Sequence, residues 1–172
     1  PADRLDYIIH PVSGEKLSHE SVEIVKSLAN PAVNVQIVIS EGLNARALED
    51  PGHFQPYFDK LIEILREEGF TLGKNIIIKN GRVRTGYQVG ELLFSNQQQD
   101  ECKALIHLIG ERPGNGNHTF SAYIVAPKSK TWGMGVVDHN IAKLVSGISD
   151  TTYVGEMAAV ETVRLMKELM EQ

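Results

Sequence analysis

Apolar positions along the chain fall into two kinds of run, and the two kinds alternate. Val22, Val25, Leu28 and Ala29 recur at the spacing of one helix face. Ser18 precedes them as an N-cap, Leu17 and Val22 occupy the positions of a hydrophobic staple, and Asn30-Pro31 stops the run. Val35 to Ser40 (VQIVIS) is instead a continuous β-prone stretch. Phe54 to Glu68 is the clearest helix: Phe58, Leu61, Ile62 and Leu65 share one face, Pro56 sits near the first turn, and Gly69 follows the last. Ile76 to Lys79 predicts a second strand, closed by Asn80-Gly81. Tyr87 to Phe94 predicts a short helix, Ala104 to Ile109 a third strand, Ala122 to Ala126 a fourth, and Met157 to Met170 a closing helix. Leu5 to His10 reads as a short extended piece before Pro11, and Ser95 to Glu101 as a polar surface loop. Lys128 to Asn140 matches neither period.

Strands that are nearly unbroken apolar runs belong to sheets covered on both faces. Alternating with helices, they predict an α/β fold: a three-layer Rossmann-like domain with a mainly parallel sheet flanked by helices. The 172 residues suit one domain spanning 1–172, without internal repeat or linker. A net charge of −5 argues against a polyanion such as nucleic acid as partner. No run approaches the ~20 apolar residues of a membrane helix, so no membrane partner is expected. No signal peptide is visible, and the chain opens on Pro1, as a processed form or fragment does. The single cysteine, Cys102, excludes an internal disulfide and a Cys-rich metal site and fits a reducing, cytoplasmic compartment.

Three strands end alike: Ser40-Glu41-Gly42, Asn80-Gly81-Arg82 and Gly110-Glu111-Arg112. In a parallel sheet these turns share the carboxyl edge, where ligands of open α/β sheets bind. Glycine lets a backbone approach a ligand closely. Loops need turn residues in any case, so the pattern alone fits a purely structural reading equally well. Gly110 to Thr119 (GERPGNGNHT) is not a P-loop, and Gly114-Asn115-Gly116 lacks the third glycine of a dinucleotide fingerprint. The six histidines are scattered, without HExxH spacing, so no metal site is expected; His107, inside an apolar strand, reads as a core or interface histidine. No G-x-S-x-G elbow occurs, and Glu101 beside Cys102 does not favour a thiolate. No catalytic residue is therefore assigned. A ligand edge without an acid–base pair or nucleophile points to binding rather than to chemistry carried out alone.

The succession VQIVISEGL (35–43), GRV with GELL behind it (81–83, 90–93), and LIGERPG (108–114) with SAY (121–123) resembles the small subunit of adenosylcobalamin-dependent ethanolamine ammonia-lyase over roughly the whole chain. That resemblance implies the C-terminal domain of such a subunit, with the family's N-terminal segment missing. The activity implied is conversion of ethanolamine to acetaldehyde and ammonia. The implied partner is a large catalytic subunit in a hetero-oligomer, with the corrin of adenosylcobalamin between the two, in the cytoplasm or a bacterial microcompartment. By motif match, Val83 (through its backbone), Glu111 and Leu144 take cofactor-binding positions, while Arg82 and Arg112 are available to carboxylates at the edge or across the interface.

Two departures favour an alternative. After the G-L turn the chain reads Asn44-Ala45-Arg46, where the family has a small residue and an Asp. Leu144 stands where the family has a Cys. A divergent interaction module that stabilises a partner without binding cobalamin is the second reading. An unrelated nucleotide-binding α/β domain is the third.

Overall fold

The computed structural model describes residues 1–95, 102–111, 118–127, 132–133 and 141–171. A five-stranded sheet runs in the order β2-β1-β3-β4-β5. Its strands are β1 (Val35–Ser40), β2 (Ile76–Ile78), β3 (Ala104–Gly110), β4 (Phe120–Val125) and β5 (Ala142–Ile148). The helices are α1 (Arg4–Ile9), α2 (His19–Ser27), α3 (Arg46–Glu49), α4 (Phe54–Glu67), α5 (Val83–Phe94) and α6 (Gly155–Met170), with a 3-10 turn over Pro11–Gly14.

The α/β class is observed, and the sheet is flanked by helices. The expectation of a mainly parallel sheet needs correction, because the sheet is mixed. β1 pairs in parallel with β2 and β3, but β3–β4 and β4–β5 are antiparallel. The reason lies between β3 and β4. A parallel return needs a crossover of a dozen or more residues, usually a helix. Only nine residues, 111–119, separate these strands, and they carry no helical pattern. The doubly wound character is thus confined to β2-β1-β3.

Each strand shows one set of side chains to either layer. Val35, Ile37, Ile106, Leu108, Phe120 and Ile124 pack with Tyr57, Leu61 and Leu65 of α4 and Val163 and Met166 of α6. On the opposite face Val38, Ile76, Ile78, Leu105 and Val125 pack with Val25 of α2, Val89, Leu93 and Phe94 of α5, and Trp132.

Several boundaries differ from the sequence pattern for local reasons. Residues 4–9 are helical rather than extended, because the Asp3 side chain caps the turn by accepting from Asp6 N at 2.8 Å. α5 begins four residues before Tyr87. Its first turn contains Thr85 and Gly86, weak helix formers, which are held by tertiary contacts. The apolar pattern does not predict strand β5; it lies at the sheet's edge, and most of its residues are exposed or half-exposed.

Candidate functional site

The exits of the three parallel strands meet at one edge, between β1 and β3, where the winding direction of the chain reverses. Leu43 N donates to Gly110 O at 3.0 Å. Gly42 has φ +54°, and a Cβ there would lie 2.2 Å from Gly110 O, so only glycine lets the two exits touch. The second exit joins through Glu41, whose Oε1 accepts from Asn80 N at 2.8 Å. Asn80 is itself left-handed at φ +54°, a conformation asparagine tolerates. A Cβ on Gly81 would lie 3.1 Å from the Ser40 Cβ.

α1 and the following 3-10 turn cap the β1/β2 end of this edge. Arg4 Nη1 donates to Gly42 O (2.9 Å) and Asn80 Oδ1 (3.2 Å). Tyr7 Oη donates to Gly81 O (3.2 Å), and Arg82 Nη2 donates to Tyr7 O (2.8 Å). Both guanidinium groups also lie over the Tyr7 ring, at 4.9 and 4.6 Å from its centroid. Arg82 is thus engaged inside the chain rather than with a carboxylate. Arg112, Gly114, Asn115 and Gly116 lie outside the described residues.

Beyond the cap, Glu111 and Leu144 flank one side chain, Tyr123, and Val83 lies against the neighbouring ring of His107. In register across the sheet, Val38 pairs with His107, His107 with Tyr123, and Tyr123 with Leu144. Paired residues share a face, so these side chains stand in a row on the α2/α5 side. Val83 opens α5 and is half-buried. Its carbonyl acts on the His107 ring, in the next place along the row. Glu111 is the first residue after β3; its N–H donates to Thr119 O at 3.0 Å. The Glu111 carboxylate faces the Tyr123 hydroxyl. Burial first, then that carboxylate and Tyr87, hold the Tyr123 hydroxyl above the ordinary tyrosine range. Leu144 is 47% exposed. Tyr123 and Tyr87 were not singled out from the sequence as site residues. The SAY motif gave the only signal for Tyr123, and Tyr87 carried none beyond its helix.

His107 is a core histidine, 1% exposed. Burial brings its pKa down to about 4, partly offset by the Val83 carbonyl. Its Nε2 is hydrogen-bonded to Ser40 Oγ. The motif departure at Arg46 falls on the exposed first residue of α3. Among the described residues no three His, Cys, Asp or Glu side chains are grouped to hold a metal ion. Nor is any described helix long and apolar enough to cross a membrane.

Residues 1–172 match the model of a family described as "Ethanolamine ammonia-lyase light chain (EutC)". The ethanolamine ammonia-lyase small subunit of Pseudomonas fluorescens (strain SBW25) is 34% identical over 116 residues, which cover 66% of this chain and 39% of that protein. The match therefore spans about two fifths of the length of this curated relative.

Proposed function

The chain belongs to the ethanolamine ammonia-lyase light-chain family, and from that membership we propose that it is the cofactor-facing α/β domain of the small subunit, corresponding to the C-terminal domain of longer relatives. In this reading it packs on a large subunit and contacts the corrin of adenosylcobalamin in an enzyme that converts ethanolamine to acetaldehyde and ammonia. The observation that supports it is that Glu111 and Leu144 lie beside Tyr123, and Val83 beside its row neighbour His107, close to the joined strand exits.

The donor set suits a corrin. Its rim of neutral amides needs donors and acceptors rather than a counter-charge. The first turn of α5 offers the backbone N–H groups of Val83 and Arg84, which have no partner within a helix; that of Thr85 already donates to Arg82 O. The Glu111 carboxylate accepts from amide N–H groups. The half-buried rings of Tyr123 and Tyr87 and the exposed Leu144 offer apolar surface for a flat macrocycle. When bound, the cofactor supplies radical chemistry by homolysis of its Co–C bond. This chain's residues bind it, orient it and cover it. A row of exposed apolar side chains at the same edge, Leu5, Ile8, Ile9 and Val12, supports packing against a partner.

Removing one contact at a time tests the reading. Glu111→Ala deletes the carboxylate. Val83→Pro deletes a backbone N–H where proline fits the first helical position, and the preceding Arg82 is already extended (φ −101°, ψ 171°). Each change is expected to weaken cobalamin binding by the reconstituted subunit pair about tenfold, the worth of one well-placed hydrogen bond. Equilibrium titration of the pair measures it. A second reading, an interaction module without cobalamin, follows from the departures at Arg46 and Leu144, where the family has an Asp and a Cys. Unchanged cofactor affinity in both variants, with the complex still assembled, would establish that reading instead.

A further inference from the structure

One buried polar pair beside the site has no part in the proposed cofactor contacts. His107 sits in the middle of β3 among aliphatic neighbours and is almost wholly buried. Its Nε2 meets the Oγ of Ser40, the fully buried last residue of β1. Its Nδ1 is also buried and makes no properly formed hydrogen bond. A buried polar nitrogen left in this state is costly and calls for an explanation.

What Nδ1 faces supplies one. α5 passes so close that a Cβ on Gly86 would lie 2.4 Å from Nδ1. The backbone acceptor acting on the ring is the Val83 carbonyl, in the same first turn. Burial keeps the imidazole neutral at pH 7, so it carries one N–H. With Ser40 Oγ–H donating to Nε2, that proton belongs on Nδ1, on the side where the first turn of α5 passes; the tautomer is assigned from these partners.

The first turn of α5 needs such a hold. Its N-cap is Arg82, which makes no side-chain capping bond. Thr85 and Gly86 are poor helix formers. Thr85 Oγ1 donates to Gly14 O at 2.6 Å and ties down one side of the turn. The ring of His107 is on the other.

We propose that His107, oriented by Ser40, is a positioning residue for the cofactor site: its Nδ1–H holds the Val83 carbonyl and so fixes the first turn of α5 where the corrin meets it. The inference rests on the reading that Val83 contacts the cofactor through its backbone. A contact group displaced by about 1 Å loses most of its value.

Two substitutions separate the ring's nitrogens. Asparagine at 107 presents an amide N–H near Nδ1; glutamine reaches toward Nε2 and Ser40 but leaves Val83 O with only its helical donor, Tyr87 N–H. Both remove the same buried ring. The full chain is reconstituted with its large subunit, hydroxocobalamin is the probe, and its absorption change reports binding. His107→Gln is expected to weaken binding about tenfold and His107→Asn no more than about twofold, the difference being one hydrogen bond. Equal losses in the two variants, or no loss in His107→Gln, would overturn the proposal.

Should either variant fail to fold, Ser40→Ala serves: it keeps the ring but removes what fixes its tautomer. It is expected to weaken binding about threefold, again as part of one hydrogen bond, and an unchanged affinity overturns the proposal. If the unsubstituted complex binds no cobalamin, the functional reading fails by itself. Amide exchange at Val83 to Thr85 in the full chain then tests the hold directly. Faster exchange in His107→Gln than in His107→Asn sustains it, and equal rates overturn it.

Discussion

Strands β1, β3 and β4 present two different faces to the two helix layers. Toward α4 and α6 they show only apolar side chains: Val35, Ile37, Ala104, Ile106, Leu108, Phe120, Ala122 and Ile124. Toward α2 and α5 the same strands interleave Val38, Leu105 and Val125 with Gln36, Ser40, His107, Ser121 and Tyr123. Gln36 is satisfied there, since its Nε2 donates to Ile37 O (2.7 Å) and Lys74 O (2.8 Å). Ser121 Oγ and His107 Nδ1 are buried without a formed partner. The α4/α6 side buries apolar area and contributes stability. The α2/α5 side gives up some of that gain and gathers polar atoms next to the strand exits. On the proposed reading, binding belongs to the α2/α5 side, while both sides contribute buried apolar area to folding.

The largest separation should come from Leu61→Ala. Leu61 is fully buried between α4 and the sheet. Its truncation is expected to cost about 3 kcal/mol, read as a lower urea midpoint, while the cofactor affinity of whatever remains folded stays the same. A change in that affinity would show that the two sides are coupled.

The pH dependence of stability probes the other side. His107 stays neutral in the folded state down to about pH 4, whereas the unfolded chain protonates it near 6.5. The folded pKa is depressed, so this contribution is complete above about pH 6.5 and is lost as the pH falls toward 4. It amounts to roughly 3 kcal/mol. Asp6 and Asp50 have carboxyls held below their ordinary 3.8, Asp6 chiefly by the backbone N–H of Ala2 and Asp50 by that of Gly52. Their contributions fade only in more acid solution. Urea unfolding between pH 4 and 6.5 should therefore show a shallower slope for His107→Gln than for the unsubstituted chain. Identical slopes would mean that the imidazole is not kept neutral.

The smallest effect sharpens the contrast from within the dry side. Tyr57 Oη and Thr162 Oγ1 lie 3.0 Å apart, both buried, and Thr162 donates onward to Ala158 O at 2.8 Å. Burial raises the Tyr57 hydroxyl far above its ordinary pKa, so it remains a donor at all working pH values. Tyr57→Phe is expected to cost about 1 kcal/mol, measured by thermal melting, with no change in its pH dependence between 4 and 6.5.

Much of the scaffold was legible from local pattern. β1, α2 and α4 fall where their apolar periods put them, because each buries a face that shows in consecutive residues. Features set by distant partners were not legible. Residues 83–86 read poorly as helix because their support comes from Gly14 and His107. β5 was hidden because it is an edge strand whose residues alternate between half-covered and bare. The mixed sheet could have been inferred, since the span 111–119 is too short for a crossover helix. Val83, Glu111 and Leu144 come from motif alone, whereas Tyr123, beside Glu111 and Leu144, becomes visible only when the strands are put in register.

By itself the sequence determined the α/β class, the family motifs, and the glycine and asparagine turns that end β1 and β2, because those depend on neighbours along the chain. Tertiary structure alone decided that the exits touch through Gly42 and Gly110, that Arg82 turns inward onto Tyr7, and that His107 lies under the first turn of α5. Each joins residues far apart in the chain, and strand register and helix packing carry information that no local spacing records.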